Sequence, residues 1–259
     1  MKSNFKLMEV VCDTNVWYRL GTGQFVPDPN LRLLATENSL YELTTTFNLV
    51  TNPILVQKAV KAVFKFHYQI IPVTPFSYVL NSQSDKFQWD TSLTDKMINS
   101  FRDFASMEEE DIVNLNNKDI RELGIECQKA NERNFLFQQA MNRYISDLRS
   151  RSKNDANLEY LAKRFCLTML NDSPDSGNTR ILEEDMIWEK VELFIAITSN
   201  YIGKMLKSKT MNVDENDGPD WINTLYVQPG QKYLTFDKRW NSLITADKSI
   251  HNYLVQLLC

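Results

Sequence analysis

Four acidic residues of this 259-residue chain stand where a strand or a helix is expected to begin or end: Asp13, Glu42, Asp220 and Asp237. Asp13 follows Val10-Val11-Cys12, an apolar, β-branched run that reads as a buried strand. Asp237 closes Lys232-Tyr233-Leu234-Thr235-Phe236, which repeats the design of a short strand, a hydroxyl residue and an aspartate. Two parallel strands of this kind, side by side, converge their carboxylates at the carboxyl edge of the sheet, where open α/β sheets place ligands. Carboxylates gathered there repel one another and resist ionisation unless a cation neutralises them. Oxygen donors without His or Cys select Mg²⁺ or Mn²⁺. The natural chemistry of such a centre is hydrolysis of a phosphodiester by metal-activated water. Asn15 and Thr235 are placed to hold carboxylates by hydrogen bonds, and Lys238 and Arg239 to meet a phosphate backbone. Each acidic position also has a plainer reading. Asp13 or Thr14 could cap a helix, and Glu42 could be a solvated glutamate favoured by a helix dipole.

The remaining composition narrows the chemistry. Only His67 and His251 offer imidazoles, and Cys12, Cys127, Cys166 and Cys259 lie far apart, so neither a His-rich zinc site nor a cysteine knuckle is expected. Gly21 and Gly23 lack the third glycine and the Lys-Ser/Thr pair of a nucleotide loop, which leaves turn chemistry. Net charge is −4, so a nucleic-acid surface would have to be a local patch. The basic run Arg143, Arg149, Arg151, Lys153, Lys163 and Arg164 is the candidate, with Arg149 and Arg151 as backbone contacts; a solvated helix face is the commoner origin of such a run.

The elements that must position these residues follow from periodicity. Strands are expected at 7–12, 31–35, 69–73 and 232–234, with a helical turn over 14–20. Thr36 or Asn38 is expected to cap a helix over 39–49, and Asn52-Pro53 to start one that runs to 67. Further helices are expected over 93–105, 117–151, 156–170 and 183–207, then from 221 to 227 with Asp220 as cap, and a last one after Asp247 or Ser249. Seven glycines and eight prolines are few for this length, which fits long helices. No internal repeat is visible.

The combination of Asp13-Thr14-Asn15, Ser39-Leu40-Tyr41-Glu42-Leu43, Asp220 and Thr235-Phe236-Asp237-Lys238 resembles the PIN domain family of metal-dependent ribonucleases. The resemblance covers about 7–73 and 216–240. It implies a three-layer α/β/α sandwich with a central parallel sheet, one PIN-like domain over 1–259, and cleavage of RNA with Mg²⁺ or Mn²⁺. Carried over, the metal ligands are Asp13, Glu42, Asp220 and Asp237; Asp217, three residues before Asp220, could share or take the third role. The chain departs from the family in length: about 83–213 forms a helical elaboration that includes the family's middle helices and could bind RNA, a protein partner or a second copy.

The alternative function is a PIN-like interaction module without nuclease activity. A phosphatase using Asp13 as nucleophile ranks lowest, because Asn15 stands where that chemistry wants a second aspartate. The start of the chain carries no secretory signal pattern and no stretch is long and apolar enough to span a bilayer, so a cytoplasmic protein with reduced thiols is expected, with no membrane partner.

Overall fold

The strand that leads to Asp13 organises the sheet. In β1 (Met8–Cys12), Val10 and Cys12 face one core and Val11 faces the other, and all three are wholly buried. A strand covered on both sides belongs in the middle of a parallel sheet. The computed structural model, which describes residues 7–83, 92–113, 128, 135, 138–150, 157–177, 179–208, 210–214 and 216–255, places it there. β2 (Leu31–Thr36), β3 (His67–Ile71) and β4 (Lys232–Leu234) complete a four-stranded sheet of order β3-β2-β1-β4, with every pairing parallel. β3 ends two residues earlier than expected, because Pro72 has no N–H to continue the ladder.

Strand alternation divides the core in two. Val10, Cys12, Leu33, Ala35 and Leu234 pack against α1 (Thr14–Gly21), α2 (Glu37–Thr45), α3 (Asn48–Thr51), α4 (Pro53–Phe66) and α6 (Ser92–Ser106). Val11, Leu34, Ile71 and Tyr233 pack against the helices of the other face. Those are α5 (Pro75–Gln83), α8 (residues 138–150), α9 (Leu158–Asp172), α10 (Glu192–Lys207), α11 (Asp217–Asn223) and α12 (Lys238–Thr245). A short α7 (Glu109–Val113) joins α4. The result is an α/β fold with helices on both faces of a parallel sheet. The segment expected as an elaboration supplies much of the second layer, since α9 and α10 share a core with Val11 and Tyr233. Among the described residues, no helix is long and apolar enough to cross a membrane.

Several boundaries differ from the sequence expectation. The helix over 39–49 breaks after Thr45. Thr44 and Thr45 turn their hydroxyls back onto the carbonyls of Leu40 and Tyr41, and Thr46 goes extended. The chain over 183–191 forms two 3₁₀ turns (Glu183–Asp185 and Trp188–Val191) before α10 begins. Asp220 lies inside the first turn of α11 rather than capping it, and a 3₁₀ turn (Thr224–Tyr226) follows. The expected last helix is a single 3₁₀ turn (His251–Tyr253), because the chain then pairs with the open edge of β4: Val255 N donates to Tyr233 O at 3.1 Å. α5 and α12 went unforeseen. Thr74 accepts from Ser77 N at the start of α5, and Asp237 caps α12. Most of the expected helix over 117–151, including Arg151, lies outside the described residues, as does Lys153.

Gly21 shows how closely the layers meet. A Cβ there would lie 2.4 Å from the carbonyl oxygen of Lys58, so only glycine lets α1 approach α4 this closely. Gly23 follows with φ of 72°, the turn geometry its sequence suggested.

Candidate acidic metal centre

The order β3-β2-β1-β4 reverses direction between β1 and β4, and in open α/β sheets ligands bind outside the carboxyl ends of strands at such a reversal. Asp13 sits there as the N-cap of α1. Its Oδ1 accepts from Thr14 N at 2.7 Å, while its Oδ2 accepts from Asn15 Nδ2 and from Thr235 Oγ1, each at 2.6 Å. Asn15 in turn accepts from Phe236 N at 2.9 Å, so it clamps the end of β4 to the end of β1. Both supporting residues expected from the sequence, Asn15 and Thr235, therefore act on Asp13.

Glu42 reaches the same place from α2, where Thr14 Oγ1 donates to its Oε2 at 2.5 Å. Asp220 reaches it from α11, where Trp240 Nε1 donates to its Oδ2 at 2.9 Å. Two polar ties dock α11 over the strand ends. Asn38 Nδ2 donates to Pro219 O at 3.1 Å, and Asn223 accepts from Thr36 Oγ1 at 2.8 Å. Carboxylate oxygens of Asp13, Glu42 and Asp220 all lie within 4.8 Å of one another.

That proximity is costly without a counter-charge. Burial first, then the Asp13 charge, pushes Glu42 up to about 8. Burial and then Asp13 and Glu42 raise Asp220 well above the usual carboxylate range, and burial raises Asp13 against its hydrogen bonds. The donor set is all hard oxygen, because the nearby Cys12 turns its thiol to Val10 O and is itself buried. Three crowded carboxylates that resist ionisation, with no nitrogen or sulfur donor grouped with them among the described residues, fit Mg²⁺ or Mn²⁺.

The other expected residues fall differently. Asp237 is outside the trio. Its Oδ1 accepts from Arg239 N at 2.7 Å and Trp240 N at 3.1 Å, capping α12, although its charge still bears on Asp13. Asp217 is not part of the trio: it pairs with Arg239 Nη1 and accepts from Tyr201 Oη and from Asp214 N. Between the two candidates for the third ligand, the geometry selects Asp220. Arg239 is exposed but held by its pairing with the buried Asp217, whereas Lys238, exposed beside it, makes no such pair among the described residues. Arg149 is not free to meet a backbone phosphate. Its Nε and Nη2 donate to the carbonyls of Met205, Ser208 and Met211 at 2.7 to 3.2 Å, which ties down the end of α10. His67 is structural, its Nδ1 lying 2.9 Å from Val63 O. Nothing local in the sequence marks Trp240 as the residue that orients Asp220, or Asn223 as a tie for α11, since both depend on contacts between distant elements. Comparison of the chain with protein families, with curated proteins and with solved structures found no match.

Proposed function

We propose that this protein is a Mg²⁺- or Mn²⁺-dependent ribonuclease of PIN-like type, hydrolysing RNA phosphodiesters at Asp13, Glu42 and Asp220. The observation that carries the reading is the convergence of these three carboxylates, from three separate elements, at the reversal point of a parallel sheet. A divalent cation there supplies Lewis acidity to a phosphate oxygen and lowers the pKa of water. The chain's own residues do the positioning. Asn15 and Thr235 orient Asp13, Thr14 orients Glu42, and Trp240 orients Asp220, so that each carboxylate presents an oxygen to a common point. Asp237 serves from the cap of α12, and Lys238 is the exposed cation placed to meet the RNA backbone.

The test is cleavage of a labelled RNA panel with Mn²⁺, Mg²⁺ or EDTA. Glu42→Gln and Asp220→Asn are the informative variants, because each keeps an oxygen to accept the bond from Thr14 or Trp240 while removing a charge. Metal-dependent cutting that both variants lose supports the reading. Cutting that survives in EDTA, or in both variants, overturns it.

A further inference from the structure

The loop that carries the centre also carries an aromatic ring with a cation laid over it. Phe236 stands between Thr235, which bonds Asp13, and Asp237, which caps α12. Its N–H is held by Asn15. Its ring meets Phe25 edge-on, with centroids 5.2 Å apart and planes at 71°. Over it lies the guanidinium of Arg19, with Cζ 4.1 Å from the centroid. Arg19 is four residues after Asn15 on α1, so the two share a face of that helix. It is exposed, and among the described residues its guanidinium takes no hydrogen bond and no ion pair. The rise along α1 from Asp13 to Arg19 is about 9 Å at roughly 1.5 Å per residue. Arg32 over Tyr68 makes a similar pair, but at the amino ends of β2 and β3, the opposite edge of the sheet.

From this arrangement we propose that Arg19, seated on Phe236 and buttressed by Phe25, is a stacking platform for an unpaired base beside the cleaved phosphate, so that the substrate is single-stranded there. The inference rests on the nuclease reading for its substrate and goes beyond it in naming the residues that hold an unpaired base. A guanidinium plane offers a π-face to any base and an uncompensated charge to a phosphate. Bases in a duplex are stacked on one another and cannot use it. The carboxylate trio offers a phosphate no positive charge of its own, so a cation that anchors the strand lies outside it.

The experiment measures binding of a fluorescein-labelled 12-nucleotide single strand, and of the same sequence as a duplex, in EDTA. It uses wild type, Arg19→Lys, Arg19→Ala and Phe236→Leu. Mn²⁺-induced stabilisation of each protein is measured separately. Arg19→Lys keeps the charge and removes the plane. It is expected to weaken single-strand binding about fivefold or more, the low end of a base stack, with an unchanged salt slope. Arg19→Ala is expected to lower that slope by about one as well. Phe236→Leu is expected to match Arg19→Lys while keeping the Mn²⁺ response, which shows that the centre is intact. Wild type that binds the duplex as well as the single strand overturns the platform. Variants that bind the single strand like wild type, with the Mn²⁺ response present, overturn the platform and leave the metal centre standing. Loss of binding in the variants from a wild type that ignores Mn²⁺ supports the platform and overturns the metal reading.

Discussion

Glu42 is the residue whose chemistry is most exposed to test. Its folded carboxyl titrates at about 8 against 4.5 for the free side chain, because burial and then the Asp13 charge oppose its ionisation. Between those values the native state holds a proton that the unfolded state has released, so metal-free stability falls as pH rises from about 4.5 to about 8. Below 4.5 both states are protonated and the full benefit is present. Thermal melts in EDTA are expected to show Tm declining across that window in wild type and a flatter profile in Glu42→Gln. Saturating Mn²⁺ is expected to flatten the wild-type profile too, since a cation replaces the proton. Trp240 is the residue no pattern in the chain announced. Trp240→Phe keeps a ring in the core but removes the N–H that holds Asp220, and is expected to weaken Mn²⁺ binding about 10- to 100-fold. An unchanged affinity by calorimetric titration would show that Asp220 orients itself. Asp13, Asn15 and Thr235 were readable because all lie next to a strand end, where topology dictates position. Asp217 and Asp220 were not separable from sequence, since their choice depends on Arg239 and Tyr201 arriving from other helices.

At the scale of elements, strand β1 and helices α1, α4 and α9 were legible because one strong local signal set each. β1 has a continuous apolar run, α4 has Asn52-Pro53 at its start, and α9 has an apolar face. Elements decided by contacts were not. The end of the chain reads as an amphipathic helix, yet an unpaired β4 edge captures it through Tyr233 and Leu254. α12 has its cap and its apolar Trp240, Leu243 and Ile244 in the sequence, but the same Asp237 also fits the pattern of a metal ligand, which hides the cap. These two roles can be separated. Asp237→Ala is expected to cost about 1 kcal/mol of stability through the lost cap, measured by denaturant unfolding, while sparing most Mn²⁺ affinity. Loss of Mn²⁺ binding comparable with that of Asp220→Asn would return Asp237 to the ligand set. Gly21→Ala tests the contact between α1 and α4. With the new Cβ against Lys58 O, destabilisation of about 1–3 kcal/mol is expected, and a neutral result would mean the helices can separate without cost.

Across the whole molecule, one arrangement serves both stability and the proposed chemistry. Two apolar cores clamp a four-stranded parallel sheet, and the chain's reversal between β1 and β4 leaves the carboxylate trio at one edge. The sequence conveyed the sheet and the acidic edge, because alternation and strand-end aspartates are local. It did not convey which helices of 83–213 complete the second layer, since that depends on α9 and α10 packing behind β1 and β4. Titration of Mn²⁺ into wild type and Glu42→Gln at pH 7, in buffers of different ionisation enthalpy, bears most directly on the central claim that Asp13, Glu42 and Asp220 form one divalent-metal centre. The expected result is saturable binding to wild type with proton release, because Glu42 is largely protonated at that pH before the ion binds, and loss of both in Glu42→Gln. Absence of binding to wild type, or equal binding by the variant, would contradict the claim.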